Sequence, residues 1–158
     1  MGRTLTTAMS NAISAKEGYA DIWLIEIAGG GGTIRYTTAP SNVAYDSQTW
    51  TGISGVIEFE PPPETADPAG QSCRISLSGV NTAVITEILT EQMRGRDCKL
   101  YWGQLDLAAG TIVANAIEAF AGLMNAPWTI EHTPSDTDGR GTVRVTTTFV
   151  SQLARFLF

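Results

Sequence analysis

Three consecutive prolines, Pro61 to Pro63, interrupt the stretch VIEFEPPPETADPAGQSCRISLSGV at residues 56–80. Proline lacks a backbone N–H donor, so strand pairing cannot continue through the middle of such a run. On either side of it, GVIEFE and SCRISLS alternate apolar and polar residues, a pattern typical of strands with one solvated face. Residues 61–71 are too long for a tight turn and carry few apolar side chains. We therefore predict a stiff, Pro-rich loop over 61–71 that projects from its domain and needs an outside contact to order it.

The composition is that of an ordinary globular protein. With 158 residues, 43% hydrophobic and 16% charged, the chain is expected to form a single domain over residues 1–158. Ten basic against sixteen acidic residues give a net charge of −6, which argues against specific nucleic-acid binding. Neither a membrane-spanning apolar run nor a secretory signal pattern is present in the sequence, so we expect no membrane insertion and folding in a cytoplasm.

Hydrophobic periodicity predicts an α+β, mainly β fold. It would be an antiparallel β-barrel or sandwich-like domain with two short helices. Asp46 and Ser47 form the turn of a short hairpin, and Gly29 to Gly32 form the tip of another. The predicted helices are 4–16 and 81–93, and the predicted strands are 19–27, 33–38, 41–45, 48–52, 55–60, 72–78, 97–105, 111–121, 122–133 and 142–150.

No residue pattern indicates catalysis, a metal or a cofactor. His132 is the single histidine, and the sequence has no Gly-x-Ser-x-Gly motif, so we expect a solvated histidine at a strand end. The segment DTDG at 136–139 has Pro134 where a calcium loop would place its first acidic ligand. Cys73 and Cys98 have no ligand partner at zinc spacing. They are expected as two buried thiols, with a disulfide as the less favoured alternative. The sequence therefore predicts a protein that is not an enzyme.

Two groups of residues instead suggest contacts with other protein chains. Glu58 and Glu60 lie on one strand face, where they could be a solvated face or an acid–base pair. Contact with basic side chains of a neighbouring subunit is a third interpretation, which we favour over acid–base chemistry. The apolar residues near the C-terminus either complete the core of this domain or dock on another chain. The predicted subunit-interface residues are Pro61, Pro62, Pro63, Glu64, Pro68, Phe156, Leu157 and Phe158.

The order of elements resembles that of the small tail-tip proteins of long-tailed bacteriophages. The segments that carry the resemblance are LTTAMSNAISAKEG, ADIWLIEIA, IRYTTAPSNVAYDSQTWTGI, CRISLSGVNTAVITEIL, CKLYWGQLD and EAFAGLMN, which together extend over about residues 4–155. The family is the distal-tail and tail-hub group, the baseplate hub-like minor tail proteins, which link the tail tube to the receptor-binding apparatus. A ring next to the tube and a hub nearer the tip both fit this resemblance.

The resemblance implies a structural protein with no catalytic site and no cofactor. Such a chain would form a homo-oligomeric ring, trimeric or hexameric, in contact with the tail tube and other tail-tip proteins. It would allow DNA to pass, reside in the virion at the tail tip, and be assembled in the host cytoplasm.

An alternative function is a carbohydrate-binding β-sandwich module that contacts the host surface. Such modules stack sugar rings on exposed aromatic side chains. Four tryptophans, Trp23, Trp50, Trp102 and Trp128, lie on or beside predicted strands. The competing interpretation of each tryptophan is packing in the core or in an interface.

Overall fold

The computed structural model describes residues 5–15, 17–29, 32–53, 56–60, 72–78, 85–86, 95–125, 128–133 and 142–151. One helix and ten strands are assigned within these ranges. They are α1 (Thr7–Ser14), β1 (Tyr19–Ala28), β2 (Thr33–Thr37), β3 (Val43–Tyr45), β4 (Gln48–Gly52), β5 (Val56–Glu60), β6 (Ser72–Ser78), β7 (Asp97–Asp106), β8 (Thr111–Met124), β9 (Thr129–Thr133) and β10 (Thr142–Ser151).

The strands form a mixed sheet that is not closed. Hydrogen bonding orders them β3-β4-β2-β1-β7-β8-β10-β6-β5, and β9 pairs with β10. The registers of β3–β4, β5–β6 and β6–β10 are antiparallel, whereas β2 and β4 pair in parallel, with Tyr36 opposite Thr51. The predicted α+β, mainly β, sandwich-like class is confirmed.

Internal contacts divide the chain into two compact units. Unit 1 comprises Met1–Glu26, Arg35–Ile53 and Lys99–Phe120, and unit 2 comprises Ile27–Ile34, Ser54–Cys98 and Ala121–Phe158. The assignment of residues 1–158 to a single domain stays a prediction.

The core of unit 1 is built around Trp50. Its ring lies 6.1 Å from that of Tyr101, edge to face, and its indole Nε1 donates a 3.2 Å hydrogen bond to the carbonyl of Tyr45. Asp46 and Ser47 both have left-handed backbone angles, with φ of 51° and 58°, as expected for the tight turn between β3 and β4. The buried members of this cluster are Ile22, Leu24, Ala39, Val43, Trp50 and Leu105.

Helix α1 begins at a capped residue and buries one side. The hydroxyl of Thr6 accepts a 3.2 Å hydrogen bond from the backbone N–H of Met9, which satisfies one of the free donors of the first turn. Met9 and Ala12 are buried, whereas Leu5 and Ile13 are 43% and 45% exposed. The helix therefore packs through a narrow apolar stripe.

Unit 2 has one apolar and one polar sheet face. In the β6–β10 register, Phe149 is opposite Cys73 and Val145 is opposite Leu77. All four of these side chains are buried. Positions between them carry serine, threonine and arginine, so the alternation predicted from SCRISLS and TVRVTTTFV is confirmed.

One predicted strand boundary differs from the structure, and one predicted helix lies mostly outside the described residues. The predicted strand boundary at 121/122 is wrong, because β8 continues to Met124 and Gly122 is paired with Ser151 inside the sheet. The strand ends just before residues 126–127, which include Pro127. Of the predicted helix over 81–93, the structure describes Ile85 and Thr86, and both are helical.

Candidate functional site

A polar surface on unit 2 brings together residues from three strands. We call it the polar face and define it as Glu58, Glu60, Arg74, Ser76, Arg144 and Thr146. Antiparallel registers place Glu58 opposite Ser76, and Ser76 opposite Thr146. Residues that face each other across a ladder project from the same side of the sheet, so these side chains share one surface.

The polar face is held by side-chain contacts across the strands. Arg144 donates to Glu58 at 2.7 Å, which joins β5 to β10 over the intervening β6. The Arg74 guanidinium lies 3.9 Å from the Glu60 carboxylate, and the hydroxyls of Ser76 and Thr146 are 3.0 Å apart. Because the charged side chains are largely exposed, each ion pair contributes about 0.2–1 kcal/mol to stability.

Within the chain, Glu58 and Glu60 each lie beside an arginine, because the antiparallel registers bring Arg74 and Arg144 onto the same face. Both carboxylates are exposed. Contact of these glutamates with basic side chains of a neighbouring subunit stays a prediction.

Strand β5 is an edge strand of the sheet. Among the described strands it pairs with β6 alone. An edge strand presents unpaired backbone groups that can pair with another chain, and natural proteins protect such edges with charged residues and prolines. Both devices occur here: Glu58 and Glu60 lie on the strand, and Pro61–Pro63 follow it in sequence.

The predicted interface residues lie outside the described residues. This applies to Pro61, Pro62, Pro63, Glu64, Pro68, Phe156, Leu157 and Phe158, as it does to the whole predicted loop 61–71 and the DTDG segment at 136–139. Their role in subunit contacts stays a prediction.

The four tryptophans do not form one aromatic surface. Trp50 is 3% exposed and belongs to the core of unit 1, so the packing interpretation holds for it and it does not offer a stacking face. Trp23, Trp102 and Trp128 are each partly buried. Of these, Trp102 lines an open cleft in unit 1.

The histidine and the two cysteines each lie on a strand. His132 is exposed on β9 opposite Val143, which confirms a solvated histidine at a strand end. Cys73 and Cys98 are both buried, and neither forms a disulfide. Burial, with a smaller contribution from the charge of Glu60, raises the pKa of Cys73 to about 12, so its thiol stays protonated and unreactive near neutral pH.

The described residues contain neither a metal-binding cluster nor a membrane-spanning helix. No group of three or more His, Cys, Asp or Glu side chains is arranged to hold a metal ion there. Over the same part of the chain, no helix has the length and apolar character needed to cross a membrane.

Comparison with known proteins gives a likeness of fold. No protein-family model matches the sequence, and no curated protein matches it. A solved structure described as the virion of a native gene transfer agent (GTA) particle contains a chain of similar fold, with a TM-score of 0.59 and 13% sequence identity. The alignment covers 95% of this chain and 46% of that chain, so this chain spans about half of its neighbour's length. At this identity the likeness shows a shared fold.

Proposed function

We propose that this protein is a structural subunit of a phage-like virion, at the tail tip, where it forms a distal-tail or hub ring. The observation that carries the proposal is the fold likeness to a chain of a gene transfer agent virion, which extends over 95% of this chain. The order of sequence elements, which resembles that of tail-tip proteins, supports the same role. In this role the ring joins the tail tube to the receptor-binding apparatus, and the protein is not an enzyme.

Strand β5 and the loop after it supply a route to ring formation. One backbone edge of β5 pairs with β6, and the other edge pairs with no described strand. Residues 61–70 follow β5 directly in sequence. An extended segment that leaves an edge strand can reach a neighbouring subunit or an adjoining ring. The intrachain arginines neutralise Glu58 and Glu60, so in this proposal the contact is made by the loop and by the apolar residues 156–158.

The acidic balance of the chain suits a ring that DNA passes through. A lumen lined by acidic side chains does not bind phosphate, so DNA would move through it without being held. The net charge of −6 is consistent with such a lining. If acidic side chains were found only on the outer surface of the ring, this part of the proposal would be dropped.

The assembly proposal is tested by light scattering and electron microscopy of the purified chain, alone and with tail-tube protein. We expect a trimer or a hexamer with a central opening. A triple variant, Phe156→Ser with Leu157→Ser and Phe158→Ser, should lose the ring, as should deletion of residues 61–70.

A matched control is available in the β7–β8 turn. Leu107 is 59% exposed and belongs to no predicted interface, so Leu107→Ser should still form rings. A native chain that stays a stable monomer even with tail-tube protein present would refute the proposal. If rings persisted in both the triple serine variant and the 61–70 deletion, the predicted interface residues would no longer be part of the proposal.

A further inference from the structure

An open cleft in unit 1 lies where α1 covers one face of two neighbouring strands. Its volume is about 260 Å³, and it is lined by Ala12, Ile13, Ala15, Tyr19, Asp21, Trp102 and Gln104. Strands β1 and β7 are adjacent in the sheet. Residues two apart in a strand share a face, so Tyr19 and Asp21 are side by side on β1, as are Trp102 and Gln104 on β7.

The centre of the cleft is a fixed polar pair. The side-chain amide of Gln104 donates a hydrogen bond to Oδ1 of Asp21. Gln104 is only 5% exposed, whereas Asp21 is exposed, so the buried amide holds the carboxylate at the opening. A carboxylate can accept about four hydrogen bonds, and a primary amide donates two and accepts two. Both groups therefore keep hydrogen-bonding capacity for a ligand.

Aromatic side chains line the same cleft. Tyr19 is 38% exposed, and Trp102 is partly buried. Both belong to the amphipathic aromatic residues that combine a large apolar surface with a polar group. The accessible lining of the cleft is mainly polar, so a ligand there would meet the donor–acceptor pair together with a smaller area of aromatic ring.

These features select the chemical class of the ligand. No cation is present among the seven lining residues, and one of them is an aspartate, which disfavours phosphates and other anions. A purely apolar ligand is disfavoured, because it would leave the remaining hydrogen-bonding groups of Asp21 and Gln104 without partners. A pyranose ring has hydroxyls that both donate and accept, together with C–H faces that pack on aromatic rings. The cleft is smaller than the roughly 300–1,000 Å³ of drug-sized ligand pockets, so it suits one sugar ring and not a long segment.

We propose that this cleft binds a neutral saccharide, one pyranose unit at a time, with Asp21 and Gln104 contacting hydroxyls and Tyr19 and Trp102 packing on the ring. Of the four tryptophans that the sequence suggests for sugar stacking, the site includes Trp102. The site is independent of ring assembly, since its residues are all in unit 1 and none is a predicted interface residue.

The test is titration of the intact chain with a panel of neutral sugars, followed by saturation-transfer NMR and calorimetry. The panel comprises glucose, galactose, mannose and N-acetylglucosamine with their short oligomers, alongside glucuronate and inorganic phosphate. We expect saturable binding of at least one neutral sugar. Tyr19→Ala and Asp21→Ala should each weaken it by about tenfold. Tyr19 is exposed, so Tyr19→Ala should keep the native melting temperature. Asp21→Ala removes the acceptor of the buried Gln104 amide and should lower the melting temperature, so its binding is measured well below that temperature.

Two control variants separate the cleft from general effects. Tyr19→Phe keeps the aromatic ring and should bind within about twofold of the native chain, since stacking is retained. Glu17→Gln removes an exposed carboxylate outside the lining and should leave binding unchanged. The absence of saturable binding to every neutral sugar would overturn the proposal. So would preferential binding of phosphate or glucuronate, or neutral-sugar affinity that is equal in the native chain and in both alanine variants.

Discussion

Gly52, the last residue of β4, is the position where a single added methyl group should cost most. A Cβ atom there would lie 2.5 Å from both the carbonyl carbon and the carbonyl oxygen of Ser41, and 2.9 Å from the carbonyl oxygen of Ala39. Those are backbone atoms, so no side-chain rotation can relieve the overlap. The backbone N–H of Gly52 also donates a 3.0 Å hydrogen bond to Oδ1 of Asn42, and a shift of the 39–42 segment would break it.

The expected cost of Gly52→Ala follows from these two effects. Overpacking of this kind costs about 1–3 kcal/mol, and loss of one hydrogen bond adds about 1 kcal/mol. The free energy of unfolding should therefore fall by about 2–4 kcal/mol. For a chain of this length each kcal/mol lowers the melting temperature by about 2–4 °C, so the total decrease should be about 4–16 °C.

Gly103 provides the matched control. Its added Cβ would meet the Ala116 Cβ at 3.4 Å and the Ile112 Cγ2 at 3.5 Å, which are ordinary van der Waals contacts. We expect Gly103→Ala to change the free energy of unfolding by less than about 1 kcal/mol. Both variants would be unfolded in urea, followed by tryptophan fluorescence and circular dichroism. Equal stability of the two variants, or a Gly52→Ala variant as stable as the native chain, would refute the steric argument.

Three further predictions concern other contacts. Tyr45→Phe removes the hydroxyl that accepts the Ala116 N–H at 2.9 Å and should lower the free energy of unfolding by about 1–2 kcal/mol; an unchanged urea midpoint would contradict this. Because the pKa of Cys73 rises from 9.0 to about 12 on folding, the folded state keeps a proton that the unfolded state loses between those pH values. Stability should fall as pH rises from about 9 to 12, and a thiol reagent at pH 8 should react much faster with the urea-unfolded chain than with the native one. Cys73→Ala should make the free energy of unfolding depend less on pH over this range, and an identical slope in the native chain and the variant would contradict the prediction. A double-mutant cycle on Glu58→Gln and Arg144→Gln should give a coupling energy of about 0.2–1 kcal/mol at low salt, declining at 1 M NaCl; a coupling above about 2 kcal/mol would contradict the exposed geometry.

The elements that depend on local sequence were largely predictable. Alternation at period two identified both β6 and β10, and the polar two-residue turn at Asp46 and Ser47 identified the β3–β4 hairpin. The predicted strand boundary at 121/122 is wrong because the sequence there does not separate one long strand from two shorter ones. A glycine is compatible with a strand interior, and Gly122 is buried inside β8 and paired with Ser151.

Contacts between distant positions were not predictable from the pattern. The parallel pairing of β2 with β4 is one example, because neighbouring hairpins along the chain suggest antiparallel neighbours. The partners of Glu58 are another, since Arg144 is 86 positions away along the chain. Alternation assigns Glu58 to a solvated face, but the charges that share that face depend on the strand order.

Trp50 and Trp102, both in unit 1, show why a residue type alone does not define a binding surface. Strand β7 has apolar residues on both faces, so period two separates Tyr101, Gly103 and Leu105 from Trp102 and Gln104 without indicating which set is covered. The answer depends on α1, which buries only Met9 and Ala12 and leaves an open cleft between its C-terminal end and strands β1 and β7. Trp50 is enclosed by the opposite layer of side chains, whereas Trp102 lies where the short helix ends. A longer apolar stripe on α1 would close the cleft. Ile13 is exposed at the border of the cleft. The substitution Ile13→Phe should therefore reduce saccharide access, while Met9, Ala12 and the strands beneath them remain packed.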